Sequence, residues 1–384
     1  MQRSVLMTGA TGLLGRYVLR ELLRANVDVA VISRPSEHAS AQDRLLELVE
    51  SLEEEVGRSL SPPTVFDGDL NRPGLGLNES SRQWVETHCD AMLHNAASLQ
   101  FIATEEGGEP YRSNVEGLRN VIELCRSTQI RKFHHVSTAY VCGERPGPIM
   151  ECDLDAGQTF RNDYERSKFE AERIIRDASC FDSLTVYRPA IIAGDAQTGY
   201  TSSYHGLLSY YKFISVIARS VEPGPDGRRF IPIRVRITGE ERRNVVPVDW
   251  VANAMVRIFN QPSLHGETYH LAPSEPTTTN HSIGTCLEYF SIDGVEFVGH
   301  DADISDWNTY EQAVAENTAI YDAYVTSDPV FDVSNTIAAL PDLPCPELDR
   351  DMLHRFIEFG ESDRWGKRQS RKKRSPKDNA VGVS

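Results

Sequence analysis

Met7-Thr8-Gly9-Ala10-Thr11-Gly12-Leu13-Leu14-Gly15-Arg16 decides how the rest of this 384-residue chain is read. A short apolar run, Val5-Leu6-Met7, precedes the glycines. After them Leu13, Tyr17, Leu19, Leu22 and Leu23 fall near helical spacing up to Arg24. The order is strand, tight turn, helix. Gly9 lets the chain turn sharply off the strand, Gly12 leaves room for an anion against the backbone amides, and Gly15 lets the helix pack closely on the sheet. A helix N-terminus placed this way offers free N–H groups and a favourable dipole to a pyrophosphate. The stretch points to a dinucleotide site; the alternative is a glycine-rich turn that holds nothing.

Outward from that turn, strands and helices alternate. Residues 27–33 (VDVAVIS) read as a second buried strand that ends at Arg34. A carboxylate at this point suits a ribose 2′-hydroxyl, whereas a guanidinium suits a 2′-phosphate, so NADP(H) is favoured over NAD(H). Arg44 is a second cation for the same phosphate, or else a solvated arginine. Residues 39–56 form an amphipathic helix whose acidic run, Glu53-Glu54-Glu55, is expected on a solvated face. A third strand, 64–66, runs into Asp67-Gly68-Asp69-Leu70, placed either to reach an adenine or only to shape the turn. A short helix closes at 84–88, and a fourth strand, 90–94, ends in Asn95-Ala96-Ala97, small residues over which a cofactor can lie. Then come a helix over 111–127 with Asn114 near its start, a fifth strand over 132–136 leading to Ser137-Thr138, a helix over 163–178, and a sixth strand, 184–187, ending at Arg188-Pro189. Alternation at this spacing means a parallel sheet covered on both faces.

The pattern changes after residue 193. Residues 207–221 (LLSYYKFISVIARSV) are strongly apolar and read as a buried helix, as the lining of a greasy substrate pocket, or as a helix lying weakly on a membrane surface. Residues 245–259 resume a strand–helix unit, 267–271 form another strand, 301–324 read as helical, and 349–359 as a last helix. The formal charge of −16 disfavours general nucleic-acid binding. From Lys367 onward the chain carries seven Lys/Arg against one Asp, so the tail holds +6 and the remainder −22. This polar tail is expected to be disordered. Seven scattered cysteines without a C-x-x-C pair fit reduced thiols in a cytoplasmic protein, and no metal site is expected. No apolar run reaches the roughly 18 residues that cross a bilayer, and the immediate first strand leaves no room for a signal peptide.

Tyr164-Glu165-Arg166-Ser167-Lys168 places a phenol and an ammonium one helical turn apart, on one face. A phenol titrates near 10 unassisted. The ammonium and an oxidised nicotinamide both favour its anion, easing proton exchange at neutral pH. Lys168 can also bond a nicotinamide ribose, and Thr138 brings a hydroxyl from the end of the fifth strand to hold a carbonyl oxygen.

These stretches together resemble an extended short-chain dehydrogenase/reductase: TGATGLLG at 8–15, HNAA at 94–97, Asn114, Ser137-Thr138 and YERSK at 164–168. Within that superfamily LHNAASLQF at 93–101, HVSTAYVCG at 135–143, VYRPAIIAGDAQTG at 186–199 and NVVPVDWV at 244–251 are similar to the branch of fatty acyl-CoA reductases and thioester-reductase domains. The resemblance covers about 1–275 well and 280–366 loosely. It implies an α/β fold, a Rossmann-type doubly wound parallel sheet with a smaller C-terminal substrate-binding lobe. The NADP-binding domain would span 1–193 with 244–272 returning to it, the lobe 194–243 and 273–366, and the tail 367–384. It implies a catalytic triad of Thr138, Tyr164 and Lys168, with Asn114 organising a relay water. Gly9, Thr11, Gly12, Leu13, Leu14 and Gly15 would hold the pyrophosphate, and Arg34 the 2′-phosphate. Asp69 and Leu70 would meet the adenine, Asn95, Ala96 and Ala97 the ribose side, and Pro189 and Ile192 would border the nicotinamide. The implied function is NADPH-dependent reduction of an acyl thioester, an acyl-CoA or an acyl group on a separate carrier protein, to an aldehyde and then to an alcohol if a second hydride follows. Such a protein would serve lipid metabolism, and a homodimer through the 111–127 and 163–179 helices is a family-level expectation. The same triad also serves epimerases and dehydratases of nucleotide sugars and alcohol or hydroxysteroid dehydrogenases, which stand as alternatives.

Overall fold

The computed structural model describes residues 4–368. Seven parallel strands form its main sheet: β1 Ser4–Thr8, β2 Val29–Ser33, β3 Thr64–Asp67, β4 Cys89–His94, β5 Lys132–Val136, β6 Ser183–Pro189 and β7 Thr268–Leu271. Their order across the sheet is β3-β2-β1-β4-β5-β6-β7. The strands are short and nearly continuous in apolar residues because both faces are covered. Leu6, Ile32, Met92 and Phe133 face one layer, where they pack with Val85, Leu118, Val121, Ala171 and Ile175. Those partners come from helices α3 Glu79–His88, α4 Gly117–Ser127 and α5 Asp163–Arg176; α1 Leu13–Arg24 and α2 Ala41–Val56 are the helices that follow β1 and β2. The fold is the expected doubly wound α/β architecture. Its strand order reverses between β1 and β4, and a crevice at such a reversal, above the carboxyl ends of the strands, is where ligands bind in sheets of this kind.

Local chemistry explains the element ends. Ser40 and Asp43 form a reciprocal capping box at the start of α2, and Gly57 ends it in the left-handed region. The acidic run is not simply solvated. Glu53 accepts hydrogen bonds from the Leu60 amide (2.7 Å) and the Ser59 hydroxyl (2.9 Å), while Glu55 pairs with Arg16. The expected helix over 111–127 opens with a wider turn, Arg112–Glu116, before α4 proper. The expected helical span 301–324 contracts to Thr309–Thr318 followed by a tight turn at Ala319–Tyr324.

The chain divides into two compact units. The first comprises the residues up to Ala190, Asp249–Ser274 and Pro329–Cys345; the second comprises Ile191–Val248, Glu275–Asp328 and the residues from Pro346. The boundaries differ from the sequence reading at four places, 191–193 and 244–248 falling in the second unit and 273–274 and 329–345 in the first. Residues 244–248 lie in the second unit, where Val245–Val246 pairs in parallel with Ile191–Ile192. Residues 329–345, expected in the lobe, return to the first unit. There Val330–Phe331 pairs with Pro148–Ile149, and Glu151 takes hydrogen bonds from the Asn335 amide (2.6 Å), the Thr336 hydroxyl (3.2 Å) and the His270 amide (2.8 Å).

The second unit is built around Leu207–Ser220, which packs with Thr279–Tyr289 and Arg350–Asp363. Tyr211, fully buried, donates its hydroxyl to the Ser282 carbonyl at 2.9 Å. Residues 207–221 do form a helix over Leu207–Ser220, which buries Leu207, Leu208, Tyr211, Ile217 and Ala218 and leaves Val216 56 % exposed. Arg229–Val235 and Ile292–Phe297 add a two-stranded parallel ladder. Among the described residues no helix is long and apolar enough to cross a membrane. The basic tail from residue 369 lies outside the described residues.

Glu151 is 2 % exposed and its carboxylate takes three hydrogen bonds, two of them from the returning segment. Glu151→Ala is therefore expected to destabilise the protein by about 2–3 kcal/mol, the worth of hydrogen bonds to a charged group. It should also open 329–345 to protease; urea denaturation and limited proteolysis check both.

Candidate active site

The glycine turn is held by close backbone approaches. Gly9 sits at φ +77, and a Cβ there would stand 2.6 Å from the Ala96 nitrogen. A Cβ on Gly15 would stand 1.8 Å from the Gly9 carbonyl oxygen. Neither place admits a side chain. Gly12 differs: its φ is −76, and a Cβ would meet only the Gly9 oxygen at 3.5 Å, ordinary contact. The chain's own packing does not require glycine at 12, whereas a ligand lying against the backbone would. Helix α1 begins there with no side-chain cap and no acidic residue in its first turn. Leu13 and Leu14 occupy that turn. These features fit an anionic dinucleotide at the end of β1.

The end of β4 is stitched to the same turn. The Asn95 amide donates to the Gly9 carbonyl (3.2 Å), the Ala96 N–H donates to the Thr8 hydroxyl (3.3 Å), and that hydroxyl bonds His94 Nδ1 (2.8 Å). Ala97 follows on the same segment. At the end of β2 Arg34 is exposed. The structure brings Arg44 to it: the Arg44 guanidinium donates to the Arg34 carbonyl (2.6 Å) and reaches the Thr11 hydroxyl (3.5 Å). Arg44 is thus a bridge between the end of β2 and the glycine turn. Asp69 spends one carboxylate oxygen on the Asn71 amide (3.0 Å), the turn-shaping option, and the Leu70 carbonyl accepts from Asn120 (2.7 Å).

The reacting groups gather at the carboxyl end of β5. Thr138 sets its hydroxyl toward the Pro189 carbonyl (3.4 Å) and against the Tyr164 hydroxyl, to which it is hydrogen-bonded. Lys168, one turn after Tyr164 on α5, is 3 % exposed and donates to the Val136 carbonyl at 2.7 Å. Burial lowers its pKa to about 8, a drop that Glu172 opposes. Burial likewise raises Tyr164 to about 12, against the Thr138 hydrogen bond. The expectation of an easily ionised phenol is therefore not met by the protein alone, because desolvation outweighs the Thr138 hydrogen bond and the Glu165 charge adds to the rise. His94 is held neutral, its pKa pushed down to about 3 by burial and then by Lys168.

Asn114 uses its whole amide for structure. Its Nδ2 donates to the Ser98 carbonyl (3.0 Å) and the Ser167 hydroxyl (2.9 Å), and its Oδ1 accepts from the Ser98 amide (2.7 Å). It ties the segment after β4 to α5. Pro189 belongs to the first unit beside Thr138, whereas Ile192 belongs to the second unit, laddered with Val246.

Three features escaped the sequence reading. Asp163 accepts from the Ala103 amide (2.8 Å) and the Tyr111 hydroxyl (2.9 Å), and its own amide donates to the Phe101 carbonyl (2.9 Å). Phe101 stacks on Tyr164 with ring centroids 6.0 Å apart. Beneath the site Glu172 grips Arg188, both fully buried, through two hydrogen bonds of 2.6 and 3.1 Å. The signal for this pair was the acid four residues after Lys168, on the same helical face.

The NAD-binding family profile described as male sterility protein matches residues 7–255. The nonribosomal peptide synthetase asaC of Aspergillus flavus is 28 % identical over 286 residues, 71 % of this chain and 26 % of that protein. The fatty acyl-CoA reductase wat of Drosophila melanogaster is 23 % identical over 290 residues, 66 % of this chain and 53 % of that protein. The chain thus spans about a quarter and about half of these relatives. The crystal structure of the terminal R domain from the myxalamid PKS-NRPS biosynthetic pathway superposes with a TM-score of 0.75 at 24 % identity, covering 94 % of this chain and 91 % of that one.

The glycine geometry separates folding from ligand binding. Gly12→Ala is expected to keep the melting temperature within a few degrees while weakening dinucleotide binding at least about tenfold. Gly15→Ala, whose methyl group has no room, is expected to lose folded protein outright. Thermal melts beside a fluorescence titration of NADPH distinguish the two.

Proposed function

The chain belongs to the NAD-binding male sterility protein family, within the extended short-chain dehydrogenase/reductases, a group of NAD(P)-dependent oxidoreductases, and on that premise we propose that it reduces acyl thioesters. The observation that supports the reading is the hydrogen bond between the Thr138 and Tyr164 hydroxyls, with Lys168 one turn further along α5 donating to the Val136 carbonyl at the end of β5. The choice of thioester rests on the relatives, a fatty acyl-CoA reductase and a peptide synthetase, because fold alone does not select a substrate.

The residues of the glycine turn, Gly9, Thr11, Gly12, Leu13, Leu14 and Gly15, would hold the pyrophosphate of the cofactor on α1. Asp69 and Leu70 would border the adenine, Asn95 to Ala97 the ribose side, and Pro189 the nicotinamide. Arg34 and Arg44 would take a 2′-phosphate, which makes NADP(H) the preferred form. When bound, the reduced nicotinamide supplies the hydride for the thioester carbonyl. Thr138 and Tyr164 donate hydrogen bonds to the oxygen of that carbonyl, where negative charge grows in the transition state. A neutral Tyr164, which burial enforces, is the form that donates and then gives up its proton in the reductive direction. Lys168, charged, lowers the cost of the phenolate left behind. Asn114 fixes the Ser98 segment against α5 and so keeps the helix that carries Tyr164 and Lys168 in place. Loss of thiol from the tetrahedral adduct gives an aldehyde, and a second round would give an alcohol. The acyl group would arrive as acyl-CoA or on a separate carrier protein. Cys125, Cys142, Cys152, Cys180 and Cys286 are free thiols, in keeping with a reducing setting such as the cytoplasm.

Purified protein is expected to oxidise NADPH only when a fatty acyl-CoA or acyl-carrier thioester is present, and Tyr164→Phe to lower that rate about a hundred- to ten-thousand-fold. Turnover of a ketone or a nucleotide sugar with none on thioesters would discard the substrate class. Cofactor choice is a separate test: Arg34→Ala and Arg44→Ala should each raise the KM for NADPH about tenfold, the worth of one charge-assisted hydrogen bond, and leave that for NADH unchanged.

A further inference from the structure

Resting on the reading of this site as a hydride-transfer centre, we propose that Glu172 is its positioning residue: it locks Arg188 onto α5 and supplies the negative charge that faces the Lys168 ammonium. The geometry comes first. Glu172 lies one helical turn beyond Lys168, as Lys168 lies one turn beyond Tyr164. One of its oxygens accepts from Arg188 Nη2 at 2.6 Å and from Arg176 Nε and Nη2 at 3.0 and 2.8 Å; the other accepts from Arg188 Nε at 3.1 Å. Arg188 precedes Pro189, whose carbonyl meets the Thr138 hydroxyl. One carboxylate therefore ties the strand that seats Thr138 to the helix that carries the other two groups of the triad.

The second argument is charge. The groups whose charge bears on Lys168 are Glu172 on its own helix, His94 from β4 and His135 from β5, and Tyr164 lies one turn before it on α5. Both histidines are neutral, driven down by burial first and then by Lys168. Around Glu172 stand Arg176 on α5 and Arg188 from β6. Three cations thus share this carboxylate, Lys168 and Arg188 buried and Arg176 reaching it from an exposed position. The two arginines do not shed a proton at any ordinary pH. Neutralising Glu172 leaves Lys168 as the cation that yields. Burial already holds it at about 8, and Glu172 is the charge that holds it up.

The test follows the protonation of Lys168 in two folded variants. Glu172→Gln preserves size and one hydrogen-bond acceptor. Arg176→Gln, at an exposed position, removes a competing cation and remains informative where Glu172→Gln fails to fold. Activity that needs the ammonium falls as pH rises through its pKa. The alkaline limb of kcat/KM for a thioester is therefore expected near pH 8 in the native protein. It should move down by about one unit or more in Glu172→Gln and upward in Arg176→Gln. A second readout does not need turnover. The folded pKa of Lys168, about 8, lies below its ordinary 10.5, so the folded state releases the proton first and stability rises with pH across that window. The part of this rise that Lys168→Met abolishes should begin about one unit lower in Glu172→Gln. Limb and onset unmoved in both folded variants would overturn the assignment. Absence of thioester reduction in the native protein would instead remove the substrate reading, and the stability onset would still decide the role of Glu172.

Discussion

The contact on which the rest of the structure depends is between two glycines. The α1 backbone at Gly15 lies so near the Gly9 carbonyl that no side chain fits between them, and Gly9 is in turn pressed against the Asn95–Ala96 backbone at the end of β4. These approaches fix where β1 ends, where α1 begins and how far β4 runs. They cannot be relaxed by moving a side chain, because every partner atom is backbone. Gly12, between them, is free of this constraint. A residue that the chain does not need as glycine, in a turn where its two neighbours are forced, leaves a stretch of backbone that the chain itself does not cover.

Burial does most of the electrostatic work at the other end of the site. Tyr164, Lys168, His94 and His135 are all moved toward their neutral forms by loss of water. For a reductase this is useful only in part. A neutral phenol is the correct donor, but a neutral lysine stabilises nothing. The site therefore needs a negative charge close to the lysine and remote from the phenol. An acid one turn further along α5 meets that need without crowding the reacting end.

Much of this was legible from one dimension because the decisive features are local. The glycine spacing, each apolar strand run, and the phenol and ammonium one turn apart are each contained in a short stretch of sequence. What was not legible joins distant segments. The Glu151 clamp on 329–345 spans more than 180 residues, so nothing near Glu151 announces it. The Arg44 bridge to Thr11 spans 33 residues, and the sequence left that arginine open between ligand and solvent. Asp163 is an acidic first-turn residue of α5. Its bonds to Ala103 and Tyr111 become visible only when the loop after β4 is folded over the helix.

Those bonds bear on substrate choice. Asp163 clamps the loop through three hydrogen bonds, so Phe101 is not a mobile side chain that happens to rest on Tyr164. On either side of it Leu99 and Ile102 are 54 % and 63 % exposed, a high figure for aliphatic side chains beside a half-buried phenol. An apolar edge held rigidly next to the proton donor costs the protein solubility and returns nothing to its stability. It makes sense where the group bound there is itself apolar and covers it. An acyl chain has that character and a nucleotide sugar does not, so the loop argues, from the protein's own residues, in the same direction as the relatives do.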